Sequence, residues 1–139
     1  MNYERDKYSG LHGRVYGLAQ LEQALGEAKQ QGKTAAILFT DFDRYKSWND
    51  KHGHSHGDVM LRQLANVVEG VVGNKGTAAR IGGDEFLIVL PSASLAEAKD
   101  VAEQISKQVS QQKIDVEGQD IQSVTMTIGI ALYPANGHD

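Results

Sequence analysis

At 139 residues with 40% hydrophobic content, the chain is sized for one domain with one continuous core. It has no cysteine, which excludes disulfide scaffolds and thiolate metal centres and suits a reducing cytoplasm. A net charge of −4 argues against a surface that tracks DNA or RNA, the longest apolar runs (such as FLIVL) are far short of a membrane span, and MNYERDKYSG holds no apolar signal region. The expectation is a soluble cytoplasmic protein, or a cytoplasmic domain of a larger one, that makes no membrane contact.

In chain order, RVYGLAQLEQALGEAKQQG places Leu18, Leu21, Leu25 and Ala28 at helical spacing and stops at Gly32, a helix-ending glycine. KTAAILFTDFD is a short apolar run ending in acid, which predicts a buried strand that delivers Asp41 and Asp43 at its end. A polar segment leads to SHGDVMLRQLANVVEGVV, where Met60, Leu61, Leu64, Val67, Val68 and Val71 form the apolar face of a second helix, with Ser55 and Asp58 near its start. After the loop GNKGT, the strands TAARI and EFLIVL flank Gly82 and Gly83 as a hairpin. SLAE, from Ser94 to Glu97, fits a capping box for a helix carrying Leu95, Ala98, Val101, Ala102, Ile105 and Val109. KIDVEG and QDIQSVTMTIGIALYP read as strands, the second alternating Val124, Met126, Ile128 and Ile130 against Thr125, Thr127 and Gly129. Hairpins mixed with crossovers predict an α/β (α+β) fold with one mixed, mainly antiparallel sheet flanked by helices.

The hairpin raises a chemical question, because RIGGDEF sets Asp84 and Glu85 at a tight bend directly before an apolar strand. Glycine tolerates positive φ and leaves room beside the backbone, so Gly82 and Gly83 are expected both to form the turn and to admit a ligand. If the hairpin lies beside the strand ending at Asp41, carboxylates of both meet over one point. A hard divalent cation such as Mg²⁺ relieves that repulsion and also takes substrate phosphates.

RIGGDEF together with DFDRYKSWNDKHGHSHGD resembles the diguanylate cyclase family, named for its GGDEF motif, from about Asp6 to the end of the chain. DKYSGLHGR is similar to the family's D-x-L-T-G-L-x-N-R opening, with Tyr8, Ser9 and Gly13 as departures. The resemblance implies a nucleotidyl cyclase or polymerase-palm-like fold over residues 1–139, and condensation of two GTP into cyclic di-GMP with release of pyrophosphate. It also implies a transient homodimer for catalysis and an upstream sensory domain in the parent protein. Carried over by position, Asp41 and Asp84 would bind Mg²⁺ (or Mn²⁺) and Phe42 would add its backbone carbonyl. Glu85 would complete a second metal site or assist deprotonation of the attacking hydroxyl. Lys46 would contact the triphosphate, Asn49 and Asp58 would read guanine, and Gly82 and Gly83 would line the substrate. Asp58 favours GTP over ATP, because a carboxylate accepts from the N1 and N2 donors that adenine lacks.

Simpler roles stand beside these. Asp41 can serve as a turn residue, Asp43 as a structural carboxylate, Asn49 and Asp58 as helix caps, Lys46 as a surface lysine, and Arg80 as an ion-pair partner. His52, His54 and His56 alternate in a way that offers a rival transition-metal reading, but the family motif already accounts for His54. DFDRYKSWNDKH lacks the sixth-position glycine of a calcium loop, and Tyr45 and Trp48 read as packing residues. Two family features are missing: Gly73 and Gly76 stand where an R-x-x-D product-inhibition motif is usual, and no A-D-x-A-L-Y-x-A-K helix follows the last strand. The alternatives to a cyclase are a catalytically silent GTP-binding regulatory module and a structural interaction domain.

Overall fold

The computed structural model describes residues 4–43, 54–113 and 124–134, and of residues 54–56 the backbone only. Its elements are α1 (Arg14–Gln31), β1 (Ala35–Phe42), α2 (His54–Val72), a 3₁₀ turn (Gly73–Lys75), β2 (Thr77–Gly82), β3 (Glu85–Pro91), α3 (Leu95–Ser110) and β4 (Met126–Tyr133). The KIDVEG segment beyond Lys113 lies outside the described residues. Among those described, no helix is long and apolar enough to cross a membrane.

The strands form a four-stranded sheet in the order β2-β3-β1-β4. Its three strand pairings are all antiparallel, in keeping with the expected mainly antiparallel sheet. β1 is central because it is apolar on both faces. Ala35 and Ile37 face α1, packing with Leu87 and Val89 of β3 against Ala24 and Ala28. Ala36, Leu38 and Phe42 face α2 and α3, in a larger cluster with Phe86, Ile88, Leu90, Met60, Leu64, Val68, Val101 and Ile105. The sheet is therefore sandwiched between helices, and polar residues reach the surface mainly at strand ends.

Two apolar expectations fail. Leu18 is 40% exposed, because α1 meets the sheet through small residues: a Cβ on Gly17 would lie 2.5 Å from the Ala79 Cβ. Leu95 is 43% exposed, since it opens the first turn of α3 while Ala98, Val101, Ile105 and Val109 take the buried stripe. The capping box itself forms, with the Glu97 amide donating to Ser94 Oγ and the Ser94 amide donating to Glu97 Oε1.

Candidate active site

β1 ends between β3 and β4, and this end carries the acidic residues. Asp41 stands opposite Glu85 on one side and Thr127 on the other, while the Phe42 amide donates to the Asp84 carbonyl at 3.4 Å. Phe42 is buried, and its ring meets Phe86 edge-on at 5.0 Å, so apolar packing fixes the strand end on which Asp41 sits. Asp43 lies one residue past β1, where its two carboxylate oxygens accept from Thr125 and Thr127 hydroxyls at 2.6 Å each. That arrangement tethers β1 to β4 and gives Asp43 a structural task.

The hairpin brings Asp84 onto Asp41. Partial burial, a hydrogen bond from the protonated Asp84 carboxyl to Asp41, the Asp41 charge and the Glu85 charge push the Asp84 carboxyl up to about 6. One proton shared between two carboxylates explains the direction. Folding here favours protonated Asp84, so the folded state binds more protons than the unfolded state between pH 4 and 6, and stability falls as pH rises through that window. The shift corresponds to roughly 3 kcal/mol undamped, and to about 1 kcal/mol once solvent screening of this half-exposed pair is applied. In metal-free urea unfolding, the wild type should lose about 1 kcal/mol between pH 4 and 6.5 relative to Asp84→Asn. A pH-independent difference between the two would contradict the shared proton.

The turn differs from expectation in its cause. Its loop is Gly83-Asp84, closed by the Gly82 and Glu85 pair after a register irregularity between Arg80 and Gly82. Neither Gly82 nor Gly83 has φ in the left-handed region, so conformational freedom does not account for the pair. At Gly83 an added Cβ would meet nothing within 4 Å, whereas at Gly82 it would lie 3.1 Å from Glu85 Oε1. Packing within the chain therefore leaves the space beside Gly83 open.

Among the described residues, no group of three or more acidic or histidine side chains is placed to hold a metal ion. What converges is the Asp41 and Asp84 pair, with the Phe42 carbonyl next in the chain after Asp41. That donor set fits a Mg²⁺-type cation, which takes one or two carboxylates and completes its shell with water and phosphate oxygens. Asp58 is half-buried in the early part of α2. Lys46 and Asn49 lie outside the described residues, as do Tyr45, Trp48, His52 and the side chains of His54 and His56.

Arg80 is the feature that the sequence left open. Its Nε and Nη2 donate to the Gly83 carbonyl at 3.1 and 2.8 Å, its Nε also reaches the Gly82 carbonyl at 3.3 Å, and its Nη1 meets Asp6 Oδ2 at 3.1 Å. Burial opposes ionisation of Asp6, but bonds from Ser9 and the Arg80 charge outweigh it and hold the carboxyl below its ordinary value. Asp6 opens the DKYSGLHGR stretch, but its pairing with Arg80, 74 residues away, carried no local signal.

Residues 3–139 match the family profile described as diguanylate cyclase, GGDEF domain. The bifunctional diguanylate cyclase/cyclic di-GMP phosphodiesterase MucR of Pseudomonas aeruginosa is 35% identical over 132 residues, covering 95% of this chain and 19% of that protein. Diguanylate cyclase A of Treponema denticola is 40% identical over 108 residues, covering 78% of this chain and 28% of that protein. The chain thus spans less than a third of the length of either relative. Among solved structures, the GGDEF domain of DgcB from Caulobacter crescentus in complex with c-di-GMP superimposes with a TM-score of 0.88 at 28% identity, over 95% of this chain and 78% of that one. SiaD of Pseudomonas aeruginosa, in complex with its activator SiaC, gives 0.88 at 30% identity, over 93% of this chain and 49% of that one. With its sheet order, its hairpin carboxylates and a profile match over almost its whole length, the chain belongs to the diguanylate cyclase GGDEF-domain family.

Proposed function

We propose that this domain condenses two GTP molecules into cyclic di-GMP and releases pyrophosphate. The observation that carries the reading is the Asp41 and Asp84 pair, two carboxylates held against each other beside a hairpin whose Gly83 leaves room for a phosphate. Isolated carboxylates would repel phosphate, so this pair needs a cation between protein and nucleotide. Asp41, Asp84, the Phe42 carbonyl and Glu85 would hold Mg²⁺ or Mn²⁺. When bound, such ions lower the pKa of the attacking 3′-hydroxyl and neutralise charge on the departing pyrophosphate. Glu85, exposed at the start of β3, would take the hydroxyl proton. Lys46 would supply a mobile positive charge to the triphosphate, and Asn49 and Asp58 would hold the guanine edge.

One GTP offers a single 3′-hydroxyl and a single α-phosphate, so a cyclic product with two equivalent linkages needs two loaded chains. A two-fold axis makes both attacks equivalent, which implies a transient homodimer. The DgcB domain solved with c-di-GMP, the product proposed here, is in keeping with this reading.

The base-reading role has its own test. Asp58→Ala should weaken GTP binding by about 1 to 3 kcal/mol, the range for losing a charged hydrogen-bond partner, and should leave ATP binding unchanged. Calorimetry with both nucleotides and Mg²⁺ measures this. Equal GTP affinity in the variant would remove Asp58 from the guanine site.

A further inference from the structure

We infer that Arg80 and Asp6 are positioning residues for Asp84, acting through a lock on the Gly83–Asp84 peptide; this inference rests on the cyclase reading of the Asp84 site. A peptide plane that follows a glycine turns more easily than one between two residues with side chains, because no Cβ restricts the Gly83 side of the Gly83–Asp84 unit. Here the flip is opposed from one side. The Arg80 guanidinium donates twice to the Gly83 carbonyl and once to that of Gly82, and Arg14 Nη1 donates to the neighbouring Ile81 carbonyl at 2.9 Å. Bonds from an ionised donor are stronger than neutral ones, and a fork fixes direction as well as distance.

The Gly83 carbonyl and the Asp84 amide are opposite ends of one rigid, planar peptide unit, so fixing the first aims the second. That unit ends at the Asp84 Cα, the atom from which the Asp84 side chain departs. Orientation is thereby passed from Arg80 to the Gly83 carbonyl, across the peptide plane, and to the Asp84 Cα that carries the side chain. Arg80 is itself held: its ion pair with Asp6 is mostly buried, with side chains 17% and 21% exposed. Asp6 sits in a closed turn in which its amide donates to the Leu11 carbonyl at 2.7 Å, the Gly10 amide donates to its carbonyl, and the Ser9 amide donates to its carboxylate. The same segment grips β2 directly, since the Arg80 amide donates to the His12 carbonyl at 2.9 Å. Residues 6–12 thus form a backing for the hairpin, and a displacement of that turn reaches Asp84 through Arg80.

The test compares Arg80→Lys, which keeps the charge but loses the fork, and Asp6→Asn, which keeps the shape but loses the ion pair, with the wild type. Without nucleotide, ¹⁵N relaxation should find Gly83 and Asp84 amides ordered in the wild type and in microsecond-to-millisecond exchange in Arg80→Lys, with a smaller effect in Asp6→Asn. Amides of β1 and the urea midpoint should change little. With Mg²⁺, the affinity for a non-reactive GTP analogue should fall at least tenfold in Arg80→Lys. Unaltered hairpin relaxation overturns the lock, as does relaxation that changes across the whole sheet in step with the urea midpoint. A loosened hairpin with unchanged analogue affinity overturns the positioning role. The relaxation arm needs no nucleotide, so a wild-type chain that bound no analogue would count against the cyclase reading while the lock was still decided.

Discussion

Asp84→Asn is expected to lower cyclic di-GMP formation by roughly a thousandfold, the scale for removing one charged group that acts on a developing transition state. The same substitution should raise the stability of the nucleotide-free protein at pH 7 by about 1 kcal/mol, because it ends the repulsion from Asp41 and Glu85 while keeping size and hydrogen-bonding shape. Activity and stability therefore move in opposite directions. That divergence distinguishes a functional carboxylate from a structural one, whose loss would lower both. Thermal unfolding and product formation measured on the same sample check it, and a variant that is both less active and less stable would contradict the assignment.

Gly76→Asp should destabilise the fold by about 3 kcal/mol, the upper range for forcing atoms into a packed site. The backbone at Gly76 is extended, with φ 179°, so torsion is not the obstacle. The obstacle is proximity: a Cβ there would sit on the Val89 carbonyl oxygen and lie 3.1 Å from Leu90 Cδ2. Val89 pairs with Thr77, so relief requires opening the start of the β2 and β3 ladder. Gly73 is the contrast. Its φ of 51° favours glycine, but a Cβ there meets nothing within 4 Å, and Gly73→Arg should cost only about 1 kcal/mol. Urea unfolding of the two variants separates them, and a Gly76→Asp protein within 1 kcal/mol of wild type would refute the close-approach account. The R-x-x-D pattern of the wider family thus cannot be restored here by substitution alone, and product inhibition through side chains at these two positions is not expected.

What the sequence made legible was local. The capping box at Ser94 and Glu97 forms as spaced, because its partners lie within one helical turn. The alternation of the last strand survives, with Val124 and Met126 buried and Thr125, Thr127 and Gly129 exposed. The meeting of Asp41 with Asp84 and Glu85 was legible because a strand end and a hairpin each carry acid at a sharp boundary, and pairing of their strands brings them together. Contacts between distant segments were not legible. Leu18 has the spacing of a core residue, yet α1 approaches the sheet through Gly17, Ala24 and Ala28, a choice made by the small Ala79 on β2. Arg80 announced a charge without a partner, and the partner came from a turn near the start of the chain. Gly82 and Gly83 marked the turn correctly, but for reasons of space rather than backbone torsion.

The central claim is that two copies of this domain join two GTP molecules, each copy holding one. Its most direct test is cyclic di-GMP production by the chain with GTP and Mg²⁺ across a hundredfold range of protein concentration, with association state followed in the same samples. Product should form, and specific activity should rise with concentration as the two-fold encounter becomes more frequent. GTP binding without any product, or a specific activity that stays constant in samples monomeric throughout, would contradict it.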